Sequence, residues 1–255
     1  VERRGRWIER AFAHQWPGRA EVDHDAVDAM QATRGQGVDD PIRPDRHRLV
    51  DREGDAERAH LVNATAVRWV AEACHRVDAH LVHVSTDYVF DGTLDRPYLE
   101  YDATGPRSVY GASKLAGESE ALALGPAASV VRTSWVCGAH GSNMVKTVMR
   151  LAAERPELAF VDDQVGHPTF TQDLAPLLRR IALDRLSGVV HATNQGACSW
   201  YEFAREVVAA TGRDPGMVRP IATAAVKNGH WLEGIRARAG VLSHPSPRLS
   251  IVTAS

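Results

Sequence analysis

The sequence predicts a layered α/β protein built on a mostly parallel sheet. From about Asn63 to Thr223, short apolar strand-like runs alternate with stretches whose apolar residues keep helical period. Such alternation argues for helices packed on the faces of a parallel sheet. At 255 residues, 44% hydrophobic and 24% charged, with 20 Gly and 13 Pro scattered along it, the chain has an ordinary globular composition. Its length suffices to bury a core in one large domain or two small ones. It carries no internal repeat and no low-complexity tract.

The elements follow in order. Ala66, Val67, Val70, Ala71 and Cys74 fall at helical spacing, and His80-Leu-Val-His-Val-Ser85 reads as a short apolar strand. Tyr110 to Leu124 is Ala-rich with a helical stripe, and Ala128 to Ser134 is strand-like. Asn143 to Glu154 is helical, Leu158 to Val161 a short strand, Leu174 to Leu183 helical, and Gly188 to Thr193 another strand. Ser199-Trp-Tyr-Glu202 opens a helix with a capping-box pattern that runs to Thr211-Gly212. The first fifty residues hold nine Arg and nine Asp or Glu and keep no period for long, and the text after about Thr223 is loop-like.

Charge and cysteine content narrow the partners. Lys+Arg of 30 against Asp+Glu of 32 leaves a formal charge of -2. No net basic field would draw nucleic acid or an anionic membrane. Cys74, Cys137 and Cys198 lie far apart without metal-ligand spacing, which suits a reducing, cytoplasmic setting. No apolar stretch reaches the length of a membrane span, and no signal-peptide core follows the first residues.

The strongest local signal is Tyr110-Gly-Ala-Ser-Lys114, at a helix start about two dozen residues after the strand ending in Ser85-Thr86. Tyr and Lys at i and i+4 project from one helix face. An ammonium so placed favours the phenolate and makes the tyrosine a better proton donor or acceptor near neutral pH. The spacing alone also fits an exposed pair on a solvated helix. Two facts favour chemistry: Lys114 is one of only three lysines in the chain, and the Ser-Thr pair lies at a strand end, where open α/β sheets bind ligands.

Five stretches carry a resemblance. They are Val84-Ser-Thr-Asp-Tyr-Val-Phe-Asp-Gly92, Val109-Tyr-Gly-Ala-Ser-Lys-Leu-Ala-Gly-Glu118, Val131-Arg-Thr-Ser-Trp-Val136, Val161-Asp-Asp-Gln-Val-Gly-His-Pro-Thr169 and Ser199-Trp-Tyr-Glu-Phe203. In order and spacing they resemble the extended short-chain dehydrogenase/reductases, and within them the dTDP-4-dehydrorhamnose reductases. The resemblance covers Gly54 to Thr223, about 170 of the 255 residues. It implies a Rossmann-like, doubly wound parallel sheet with a small C-terminal substrate-binding part. Residues 54–136 would form the remainder of the dinucleotide-binding domain, and 137–223 the substrate part intermixed with the last strands.

The resemblance also implies roles. Tyr110 would donate the proton to a keto oxygen, Lys114 would hold the nicotinamide ribose, and Thr86 would hydrogen-bond the reacting oxygen with Ser85 in support. Asp87, Trp135, Gln164, Pro168 and Thr169 would face the nucleotide sugar, although Trp135 also reads as a core residue and Asp162-Asp163 as a solvated turn. His83 and His191 read as core histidines, and His167 stays open. NADPH or NADH would be the cofactor, Mg2+ a candidate ion, and a homodimer a candidate assembly.

The departures define competing expectations. The family opens with an apolar strand running into G-x-x-G-x-x-G, and no such motif occurs here; Arg34-Gly-Gln-Gly-Val38 lacks the third glycine. The first βα unit therefore reads as missing or degenerate. Residues 1–53 and 224–255 read as atypical, frame-shifted or disordered flanks, and the initial Val suits an alternative start. An active reductase is one expectation. The others are an inactive relative and a non-catalytic regulatory subunit similar to the methionine adenosyltransferase beta subunit.

Overall fold

The computed structural model describes residues 55–225. The expectations for residues 1–53, for most of the 224–255 tail and for Arg34-Gly-Gln-Gly-Val38 lie outside the described residues. The chain enters through α1 (Ala56–His60), capped by the Asp55 carboxylate, which accepts from the Arg58 amide. A single wide turn, Leu61–Thr65, leads into α2 (Ala66–Arg76) and then β1 (Leu81–Thr86). Next come α3 (Val109–Leu122), β2 (Ala128–Thr133), β3 (Val136–Cys137), α4 (Met144–Glu154) and β4 (Leu158–Val161). The chain continues through β5 (Val165–Gly166), β6 (Thr169–Phe170), α5 (Thr171–Leu183) and β7 (Gly188–His191). It closes with β8 (Cys198–Ser199), α6 (Trp200–Ala210) and β9 (Val218–Ile221).

Every element expected between Ala66 and Gly212 is present within a few residues of its expected ends. The capping box on α6 is formed in both directions, with Ser199 Oγ accepting from the Glu202 amide and Glu202 accepting from the Ser199 amide. The sheet is parallel with strand order β1-β2-β7, while β3-β6 and β4-β9 add parallel pairs and β5-β8 an antiparallel one. β3, β5, β6, β8 and β9 were not expected. The first four are two residues long and carry no period, and β9 contains Pro220, which argues against a strand unless it lies at an edge.

Register sorts the side chains of β1 and β2. Val82 and Val131 pack with Leu174, Ile181 and Val190 on the α5 side. His83, Ser85 and Arg132, one residue out of phase, meet α3 instead. A second core joins α4, β4, β6 and α6 through Val145, Val148, Leu158, Phe170, Phe203 and Val207. Each such side chain contributes ~1.5–3 kcal/mol by leaving water.

Small residues set how closely α3 lies. A Cβ on Gly111 would come 2.3 Å from the Tyr88 carbonyl oxygen, and one on Gly117 would come 2.0 Å from that of Asn63. The wide turn carries Asn63 to the same contact, where its amide donates to Ser113 Oγ at 2.9 Å. Cys74, Cys137 and Cys198 are free, and among the described residues no helix is long and apolar enough to cross a membrane.

Candidate active site

Thr86 ends β1, and its register partner Thr133 ends β2. Both therefore sit at the carboxyl edge of parallel strands, where such sheets open a ligand crevice. Ser108 caps α3 by accepting from the Gly111 amide at 3.0 Å, which puts Tyr110 in the first turn. The Tyr110 ring meets Tyr88 edge-on, with centroids 5.9 Å apart. One turn on, Lys114 Nζ donates to the Val84 carbonyl at 2.7 Å and lies 3.4 Å from His83 Nε2. Burial, with the Lys114 charge second, pushes His83 down to about 4, so its ring is neutral at pH 7.

Asp87 is 1% exposed, accepts from Thr86 Oγ1 at 3.1 Å through Oδ1, and has no partner at Oδ2. Burial pushes its carboxyl up to about 7, against hydrogen bonds from Thr86 and the backbone that favour the charged form. Its charge thus changes near neutrality directly beside Thr86. Burial, Asp87 and Tyr110 together raise the Tyr88 phenol.

The other expected residues form a second group. Trp135 holds φ 45°, an uncommon conformation for a bulky residue, and stacks on Trp200 with centroids 3.5 Å apart. Gln164 is 2% exposed and donates to Thr223 Oγ1 at 2.9 Å, with Oε1 unpartnered. Pro168 and Thr169 are buried, and the Thr169 amide donates to the Trp135 carbonyl at 3.2 Å. Asp162 and Asp163 are exposed but bonded: Asp162 accepts from Ser199 Oγ at 2.5 Å and Asp163 from Thr223 Oγ1 at 2.6 Å. His167 and His191 are buried, as core histidines are, and burial pushes them down to about 4 and about 3. Ser134 Oγ joins the two groups by donating to the His167 carbonyl at 2.6 Å.

Sequence reasoning left Glu118 and Arg132 without a role, yet they form a buried ion pair beside Ser85. The available signal was the spacing, since Glu118 repeats the step of four from Tyr110 to Lys114. A cavity of about 390 Å³ lies elsewhere, lined by Met144, Leu158, Phe160, Val161, Trp200 and Ile221. Among the described residues no group of three or more His, Cys, Asp or Glu could hold a metal ion.

A parallel α/β sheet with Ser-Thr at a strand end, faced by Tyr-x-x-x-Lys on the next helix, is the Rossmann-like arrangement of the short-chain dehydrogenase/reductases. Residues 46–230 match the family described as the RmlD substrate binding domain. The chain is 41% identical over 202 residues to a dTDP-4-keto-6-deoxy-D-glucose reductase of Streptomyces niveus, covering 79% of this chain and 69% of that protein. It is 49% identical over 172 residues to the dTDP-4-dehydrorhamnose reductase of Mycolicibacterium smegmatis, covering 66% of this chain and 52% of that protein. The crystal structure of the Bacillus anthracis dTDP-4-dehydrorhamnose reductase in complex with NADP superposes with a TM-score of 0.68 at 36% identity, over 76% of this chain and 68% of that one. This chain belongs to the RmlD substrate binding domain family, that of the dTDP-4-dehydrorhamnose reductases. It spans between 52% and 69% of the length of these two curated relatives.

Proposed function

We propose that the chain carries the catalytic machinery for NADPH-dependent reduction of the 4-keto group of a dTDP-linked 6-deoxy sugar, dTDP-4-dehydrorhamnose or a close relative. The observation that carries this reading is the packing of the Tyr110–Lys114 face of α3 against the end of β1, with Lys114 bonded to the Val84 carbonyl two residues before Thr86. The donor set fits the nicotinamide ribose end of such a cofactor: an ammonium and a phenol on one helix face, with the Thr86 hydroxyl at the strand end beside them. NADPH, when bound, supplies the hydride.

The chain's own residues do the rest. Lys114 holds the ribose hydroxyls, a task for which a compact ammonium suits better than a forked guanidinium. Tyr110 gives its proton to the keto oxygen as negative charge builds there. Thr86 donates a hydrogen bond to the same oxygen once its hydroxyl turns from Asp87. Asp87, Trp135, Gln164, Pro168 and Thr169 are proposed to shape the sugar side, and a homodimer is the proposed assembly.

NADPH oxidation by the 255-residue chain in the presence of dTDP-4-dehydrorhamnose tests the reading. Tyr110→Phe is expected to lower turnover by roughly a hundredfold or more, the scale of lost general acid catalysis, while dTDP-sugar binding survives. Lys114→Arg keeps the charge and changes its shape, so full activity in that variant would remove the ribose-holding role. Sugar binding by a parent that never turns over would favour the non-catalytic reading instead.

A further inference from the structure

We infer that Glu118 and Arg132 form a positioning pair that locks the helix carrying Tyr110 and Lys114 to the strand end carrying Ser85 and Thr86. The inference rests on the reductase reading and adds residues to which that reading gives no task. The two side chains are 2% and 5% exposed. Arg132 grips the carboxylate with both prongs, Nε to Oε1 at 3.0 Å and Nη2 to Oε2 at 2.7 Å. Ser85 Oγ donates to the same Oε1 at 2.5 Å. One carboxylate on α3 therefore takes bonds from β1 and β2 together. The remaining guanidinium nitrogen, Nη1, donates to the Glu100 carbonyl at 3.3 Å, and the Glu100 carboxylate accepts from the His191 amide at 3.0 Å. The guanidinium also lies over the Phe90 ring, 4.9 Å from its centroid.

A buried ion pair is a poor way to gain stability, because desolvation offsets the attraction and apolar side chains of similar volume serve as well. What the fork and the carboxylate supply is geometry, since two parallel bonds fix both distance and orientation. Tyr110, Lys114 and Glu118 lie four residues apart on one face of α3. A lock at Glu118 therefore sets the rotation and height of the face that presents Tyr110 and Lys114. Ser85 immediately precedes Thr86, so the same carboxylate also sets the other side of the hydroxyl–phenol pair. A misplacement of about 1 Å at such a pair costs roughly a hundredfold in rate.

Two variants test this in the full chain. Ser85→Ala removes one hydroxyl, and the double variant Glu118→Met/Arg132→Met replaces the ion pair by unbranched apolar side chains, which a fold tolerates. The chain contains five tyrosines, so 3-fluorotyrosine labelling gives a resolvable fluorine spectrum in which Tyr110→Phe assigns the Tyr110 signal. Both variants are expected to keep the far-ultraviolet dichroism of the parent, to displace or broaden the Tyr110 signal, and to lower kcat roughly tenfold to a hundredfold at unchanged KM. An unmoved Tyr110 signal with full kcat in the double variant overturns the inference and leaves the pair a structural one. If the parent does not turn over, the reductase reading fails and the fluorine signal alone decides: moved supports the lock, unmoved overturns it. Should the double variant not fold, Ser85→Ala decides by the same readouts.

Discussion

His83 and Lys114 meet between β1 and α3, with the imidazole Nε2 3.4 Å from the ammonium Nζ. Because burial and that ammonium push His83 down to about 4, the ring faces Lys114 as a neutral acceptor. Gly117 leaves the room, since a Cβ there would come 3.3 Å from the same Nε2. His83→Leu should therefore loosen the amine and raise its rate of acetylation by acetic anhydride severalfold, whereas His83→Gln keeps an acceptor and the parent rate. Peptide mass spectrometry reads the rate, with Lys146 as internal standard. An unchanged rate in the leucine variant would show that His83 does not restrain Lys114.

Acid should weaken the fold from about pH 6.5 downward, starting where an unfolded histidine takes its proton. His83 and His167 are pushed down to about 4 and His191 to about 3, burial being the main cause in each. Between the unfolded and folded values the unfolded chain binds more protons, so stability falls with pH. Asp87 runs the other way. Burial raises it from 3.8 to about 7, so the folded chain holds an extra proton between those values. Three groups against one leave about two protons in favour of unfolding, a loss on the order of 2–3 kcal/mol per pH unit at the steepest. Urea midpoints at pH 7 and pH 5 measure it, and Asp87→Asn should steepen the loss by removing the opposing contribution.

Gly166 lies against the Trp135 indole, where a Cβ would come 2.6 Å from Cε2 and 2.9 Å from Nε1. The ring is already stacked on Trp200 and has Phe203 6.2 Å away, edge-on. Gly166→Ala should push the indole out of the stack and destabilise the fold by about 1–3 kcal/mol, the usual cost of overpacking. The near-ultraviolet dichroism of the coupled indoles should fall with it. A parent-like spectrum and melting point would mean that β5 shifts instead of the ring.

The sequence by itself determined the alternation of strands and helices, the ends of α3 and α6, and the Tyr110–Lys114 pair. All of these are local: a β-branched run, a cap three residues from its partner, or a step of four along a helix is written within a few residues and needs no distant contact. Tertiary structure alone decided the rest. Ser85 and Glu118 are 33 residues apart, Glu118 and Arg132 14, and Asp163 and Thr223 60, and nothing in the spacing of one names the other. The two-residue strands exist only because a neighbouring strand supplies their hydrogen bonds, as β3 does for β6. The carboxyl of Asp87 and the imidazole of His83 look ordinary in the text, and their shifts come from how much water the folded chain excludes around them. Periodicity is a property of the chain, whereas desolvation and long-range pairing are properties of its packing, so the Tyr110–Lys114 pair could be read from the residues and the pairing of Glu118 with Arg132 could not.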